Sequence, residues 1–113
     1  MIGVWFLMRQ FNKLVRDNIP ERIKGHGETP VTRVLSHDEY VEALKAKLLE
    51  ELQEFLEGDT EDGIIEELAD VYEVLEAMQN ALGFKDADVK AAKDAKAKTH
   101  GKFQKRIFLE SVL

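Results

Sequence analysis

Two pairs of acids stand out by type and spacing. Glu51 and Glu54 are three residues apart, and so are Glu67 and Asp70. On a helix, residues three apart project from one side. Each pair can therefore aim two carboxylates at one point. Two antiparallel helices can bring all four around it. Such a cluster is costly unless a cation neutralises it. Oxygen-only ligands suit a hard cation, Mg²⁺ or Mn²⁺, rather than zinc. A ferritin-like di-iron centre is disfavoured, because it needs Glu-x-x-His and neither acidic run has that histidine. A single Glu-x-x-Glu is usually a solvated helix face. Two on consecutive helices, both bordering apolar stripes, are a less ordinary pattern.

Basic residues come from the two ends of the chain. Lys13 and Arg16 flank Leu14 and Val15, and Lys96, Lys102 and Arg106 lie near the other end. Their physical use would be to hold phosphate oxygens that no metal binds. Lys90, Lys93 and Lys98 read as solvated. His26, His37 and His100 fall in loops or at helix ends, none at ligand spacing with another, and read as structural or solvated. Ser36 is sufficiently explained as a helix cap, and there is no serine nucleophile motif.

The elements that must position the acids follow from periodicity and punctuation. Asp17 or Asn18 caps a short helix with Pro20 in its first turn, ended by Gly25 and Gly27. Ser36 followed by Glu39 is a capping box. The helix it starts runs through Glu57 to Gly58. Val41, Leu44, Leu48, Leu52 and Phe55 form its apolar stripe. At about 100° per residue, Glu51 falls on the shoulder of that stripe, with Glu54 one step further round and Glu50 on the far side.

Asp59 or Thr60 caps the next helix, which runs to about Leu82 and ends at Gly83. Its stripe is Ile64, Leu68, Val71, Leu75 and Leu82. Val74 and Met78 widen the stripe on one side. Glu67 lies on that same side, and Asp70 is at the edge. Asp86 caps a third long helix, rich in Ala and Lys, to about His100. The segments 31–35 and 106–110 are expected to pair as a small two-stranded ribbon. The expected fold class is all-α, a helical bundle with short connections.

Bulk properties bound the rest. The chain has 113 residues, 44% of them hydrophobic and 34% charged, with a formal net charge of −6. That suits one helix-rich domain. The acidic balance argues against a nucleic-acid polymer as partner, since such binding rests on Lys and Arg. Cysteine is absent, which excludes disulfide and thiolate chemistry and suits a reducing cytoplasm. Ile2 to Met8 is apolar, but too short for a membrane span and without a basic leader. An N-terminal strand or an oligomer contact is expected there. Residues 1–10 read as an extension and 11–113 as a single domain.

With these residues in hand, the chain resembles a family. Glu50-Glu-x-x-Glu54 followed by Glu67-x-x-Asp70 is similar to the signature of the all-α nucleoside triphosphate pyrophosphohydrolases. The fit is closer to their small MazG-like or phosphoribosyl-ATP pyrophosphohydrolase-like branch. Lys13-Leu-Val-Arg-Asp-Asn-Ile-Pro20 resembles that branch's opening. Tyr40 to Glu51 resembles its metal helix, and Gly101 to Glu110 its closing segment. Two departures stand out: Lys102 replaces a frequent second glycine, and Met1 to Met8 lies outside the pattern.

The resemblance implies Mg²⁺-dependent cleavage between the α and β phosphates of a nucleoside triphosphate, with house-cleaning of noncanonical or excess nucleotides as the role. It implies Glu51, Glu54, Glu67 and Asp70 as metal ligands, and Glu50 as a further acid that holds a second metal or orients water. Lys13, Arg16, Lys96 and Arg106 become the substrate-binding candidates. It also implies a homodimer or homotetramer. Phosphoribosyl-ATP hydrolysis in histidine biosynthesis is the alternative within the class, although the closing segment leans to the broader branch. A non-catalytic helical dimerisation or regulatory module is the alternative outside it.

Overall fold

A computed structural model describes residues 9–113. Expectations for Ile2 to Met8 lie outside the described residues. Four helices follow in order, and no strand occurs among the described residues: α1 Ile19–Gly25, α2 His37–Glu57, α3 Glu61–Ala81 and α4 Asp86–His100. The fold is all-α. None of these helices is long and apolar enough to cross a membrane.

Local chemistry accounts for most helix ends. At α2 the Glu39 N–H donates to Ser36 Oγ and the Ser36 N–H donates back to Glu39 Oε1, at 3.3 and 3.2 Å. That reciprocal box satisfies two donors the first turn leaves open. At α3 the Gly63 N–H donates to Thr60 Oγ1 at 3.2 Å, so Thr60 rather than Asp59 is the cap. Gly83, at φ 77°, ends α3 in a conformation that side-chain-bearing residues resist.

Two expected caps are corrected. Asn18 stands at the N-cap of α1 but has φ −93° and ψ 1°, not the extended geometry of a capping residue, and makes no side-chain cap bond. At α4 the N-cap is Lys85. Asp86 Oδ1 instead accepts a hydrogen bond from Gln79 Nε2, tying the start of α4 to the end of α3.

The expected ribbon is also corrected. Val31 and Val34 are 96% and 97% exposed, and neither 31–35 nor 106–110 has strand pairing. Arg106 has φ 57°, which bends the backbone where the second strand would begin. Its N–H closes a turn onto Phe103 O at 3.3 Å.

α2 and α3 form the one extensive helix–helix contact among the described residues, an antiparallel hairpin. His37 Nε2 donates to Ala81 O at 2.8 Å, joining the first turn of α2 to the last of α3. At the other end, the connection passes through Gly58. A Cβ there would sit 2.9 Å from Ile64 Cγ1, so the close approach needs glycine.

The hairpin packs on one side of the expected α3 stripe. Leu44, Val71 and Val74 are buried, whereas Leu68, Leu75 and Leu82, expected in the α3 stripe, are 36–47% exposed. The inward face of α3 is the side that carries Val74, Met78 and Glu67. Only three apolar side chains and one acid, Glu51, are buried among the described residues. The molecule is open accordingly. Its radius of gyration is 19.7 Å, against roughly 13 Å for a compact chain of this length. It exposes 10682 Å², against roughly 6300 Å² for a compact monomer of this mass.

Candidate metal centre

The acids meet where α2 and α3 face each other. Glu51, Glu54 and Glu67 each offer a carboxylate oxygen, and these oxygens all lie within 4.8 Å of one another. The i, i+3 spacing places Glu51 and Glu54 on one side of α2. Glu67 reaches them because its side of α3 turns inward with Val71 and Val74. Glu51 is buried, Glu67 half-buried and Glu54 exposed. Two of their oxygens, Glu51 Oε2 and Glu67 Oε2, are buried and find no hydrogen-bond partner among the described residues.

An unpaired buried carboxylate oxygen is expensive, and one beside two further carboxylates is more so. The carboxyls respond as this requires. Burial pushes Glu51 up, the Glu54 charge adds to that, and Lys47 opposes it. Desolvation and then the facing Glu67 likewise raise Glu54. An all-oxygen set with two orphaned acceptors fits a hard divalent cation.

Asp70, expected as the fourth ligand, is not among the oxygens that converge. Arg16 Nη2 donates to its Oδ1 at 2.7 Å. Glu50 is half-buried, held by Lys13 Nζ at 3.2 Å and Lys47 Nζ at 3.5 Å. Burial pushes Glu50 up, but the Lys13 hydrogen bond and the two lysine charges outweigh it and leave Glu50 below its usual value. Glu50 is thus a fixed anion, whereas Glu51 and Glu54 hold protons more readily.

The basic half of the site divides. Lys13 and Arg16 lie beside the acids, as their ion pairs show. Lys96 and Arg106 are exposed and pair with no acid among the described residues. Sequence reasoning missed Lys47, which approaches Glu51 Oε1 at 3.4 Å. Its spacing, three before Glu50 and four before Glu51, was the available signal.

Next to the acids opens a cleft of about 720 Å³ between residues 14–22, α2 and α3. Arg16, Lys47, Glu51 and Asp70 line its charged part, and Tyr40, Leu44, Val74 and Ala77 its apolar part. Neither Lys96 nor Arg106 lines it.

No family model and no solved structure matches the chain. An uncharacterized protein of Mycolicibacterium smegmatis is 56% identical over 54 residues. That match covers 48% of this chain and 55% of the relative, so the chain spans about half of the relative's length.

Proposed function

We infer that this chain is a Mg²⁺-dependent nucleoside triphosphate pyrophosphohydrolase that cleaves between the α and β phosphates. The products are a nucleoside monophosphate and pyrophosphate. The observation that carries this reading is the convergence of Glu51, Glu54 and Glu67 with two buried, unpartnered oxygens. The resemblance of the acidic signature and both flanking segments to the MazG-like branch supports it.

In this reading Glu51, Glu54 and Glu67 hold Mg²⁺, with Asp70 joining when Arg16 turns to phosphate. A cation held there would lower the pKa of water and offset phosphate charge. Lys13, Arg16 and Lys47 neutralise the acids while the cleft is empty. Their donors then pass to phosphate oxygens, where arginine can bind two at once. Glu50, held below the ordinary glutamate range, is a weak base. It serves better by accepting hydrogen bonds from a water and orienting it. The cleft's volume suits a nucleotide, and Tyr40 provides a ring on which a base can stack.

The test is pyrophosphate release from a panel of triphosphates, with phosphoribosyl-ATP included, in the presence of Mg²⁺. Wild type should release pyrophosphate and Glu51→Gln should not. Equal rates for the two, or none on any substrate, sink the reading. Leu68, Leu75 and Leu82, left 36–47% exposed along α3, favour the second reading, a non-catalytic helical dimerisation module. That reading expects no Mg²⁺-dependent rise in melting temperature, since only a cation bound to the native state stabilises it.

A further inference from the structure

The cleft beside the metal centre follows the axis of the α2–α3 hairpin. The two helices run antiparallel, so each step back along α2 meets a step forward along α3. Two contacts fix the register. Glu54 faces Glu67 near the Gly58 turn, and His37 Nε2 reaches Ala81 O at the far end. Between them Glu51 comes level with Asp70, Lys47 with Glu73 and Val74, and Leu44 with Ala77, and all of these line the cleft. At about 1.5 Å per residue, Glu73 lies about 4.5 Å beyond Asp70 along α3, and Tyr40 about 16 Å beyond Glu51 along α2.

Glu73 is the acid of this series that nothing engages. It is exposed into the cleft, and among the described residues it makes no ion pair and no side-chain hydrogen bond. Arg22 and Lys47 line the same cleft, but Lys47 turns to Glu50 and Glu51. Nor does Glu73 belong to the oxygens that converge for a cation. An ionised carboxylate only accepts hydrogen bonds. What it can take from a ligand is therefore a hydroxyl or N–H donor, and a phosphate at that level would be repelled.

We propose that Glu73 reads the sugar, accepting hydrogen bonds from the 2′ and 3′ hydroxyls of a bound nucleotide, so that the substrates are ribonucleoside rather than 2′-deoxyribonucleoside triphosphates. The inference rests on the hydrolase reading for where the phosphates sit. With the phosphates at the acids, the sugar is the next group along a nucleotide, and Glu73 stands one helical turn on from Asp70. The base then falls among Leu44, Ala77 and the Tyr40 ring, which bring no charge of their own. Two carboxylate oxygens suit two neighbouring hydroxyls, as when an acidic residue holds a ribose in dinucleotide-binding folds. Hydroxyl-to-carboxylate bonds are strong ones, and a 2′-deoxy sugar leaves one of the pair unmade.

The test measures binding rather than turnover. The full chain with Mg²⁺ is titrated calorimetrically with α,β-imido triphosphates of adenosine and uridine, each with and without the 2′ hydroxyl. The native chain should bind the ribo form about tenfold to a hundredfold more tightly with either base, the range of a hydrogen bond to a charged group. Glu73→Ala, at an exposed helical position that tolerates alanine, should make the two sugars bind alike. Glu73→Gln keeps one acceptor oxygen and should retain part of the preference. A weaker Glu73→Ala with its sugar preference intact is what a purely structural role gives, and it overturns the proposal. So do equal affinities for the two sugars in the native chain, an effect that follows the base instead, or no binding of any analogue. Failure of the hydrolase reading shows separately, as a pyrophosphate panel in which no triphosphate is cleaved.

Discussion

The two sides of the α2–α3 hairpin contradict the usual order of inside and outside. On the inward side a glutamate, Glu51, is 7% exposed beside Leu44, Val71 and Val74. On the outward side Leu49, Leu56 and Ile65 are 59–76% exposed. Burying a charge costs several kcal/mol, and leaving a leucine in water forgoes about 1.5–3 kcal/mol. Each side thus carries a cost within the single chain: unpartnered carboxylate oxygens on the inward side and exposed leucines on the outward side.

The largest expected effects concern the inward side. Glu51→Gln should lower Mg²⁺ affinity by about a hundredfold or more, since even groups behind a metal's ligands carry about 10–100-fold. Calorimetric titration checks this. In chelator, Glu51→Leu should raise the unfolding free energy by about 1–4 kcal/mol, because it removes a buried carboxylate that the Lys47 contact leaves half-paired. A destabilised variant in chelator would mean that Lys47 already satisfies Glu51.

Leu44→Ala should cost about 2–5 kcal/mol in denaturant unfolding, as a fully packed leucine does. The same change at Leu56, 76% exposed, separates the two pictures of the outward face. A face in water expects a change within about 0.5 kcal/mol. A covered face expects a larger loss that depends on protein concentration.

The smallest effects lie at the start of α2. Ser36→Ala should cost about 1 kcal/mol by removing the cap. The Arg33 hydrogen bond, then the Ser36 bonds, hold Glu39 down at about 2. Its folded pKa is thus below its unfolded value of 4.5. Its contribution should be present above pH 4.5 and fade as pH falls toward 2. Arg33→Ala should shrink that acid-side loss in a pH series of melts.

Helix existence and most helix ends were legible because their causes are local. The Ser36 box, Thr60, Gly58 and Gly83 act within a few residues. The Glu51/Glu54 pair was legible for the same reason, since i, i+3 spacing survives into any helix, whereas Asp70's place outside the cluster was not. Which side of α3 turns inward was not. Periodicity finds an apolar stripe but not what covers it, and the hairpin chose the side of Val74 and Glu67 over that of Leu68 and Leu75. The ribbon failed because alternation needs a partner strand and a continuous extended backbone, and Arg106 interrupts the second. Lys96 and Arg106 depended on the direction of α4, which no local signal states.

Gly58 does more than end a helix. The 2.9 Å contact that a Cβ would make with Ile64 fixes how closely the two helices approach near Glu54. In the proposed metal reading, the turn would act as a gauge for ionic radius. Mg²⁺ needs ligands at about 2.1 Å and Ca²⁺ at about 2.3–2.6 Å. Gly58→Ala, which changes no carboxylate, should loosen the hairpin and shift preference from Mg²⁺ toward Ca²⁺ in competitive titration. Ion selectivity would then reside in a residue with no side chain, one turn from the nearest ligand.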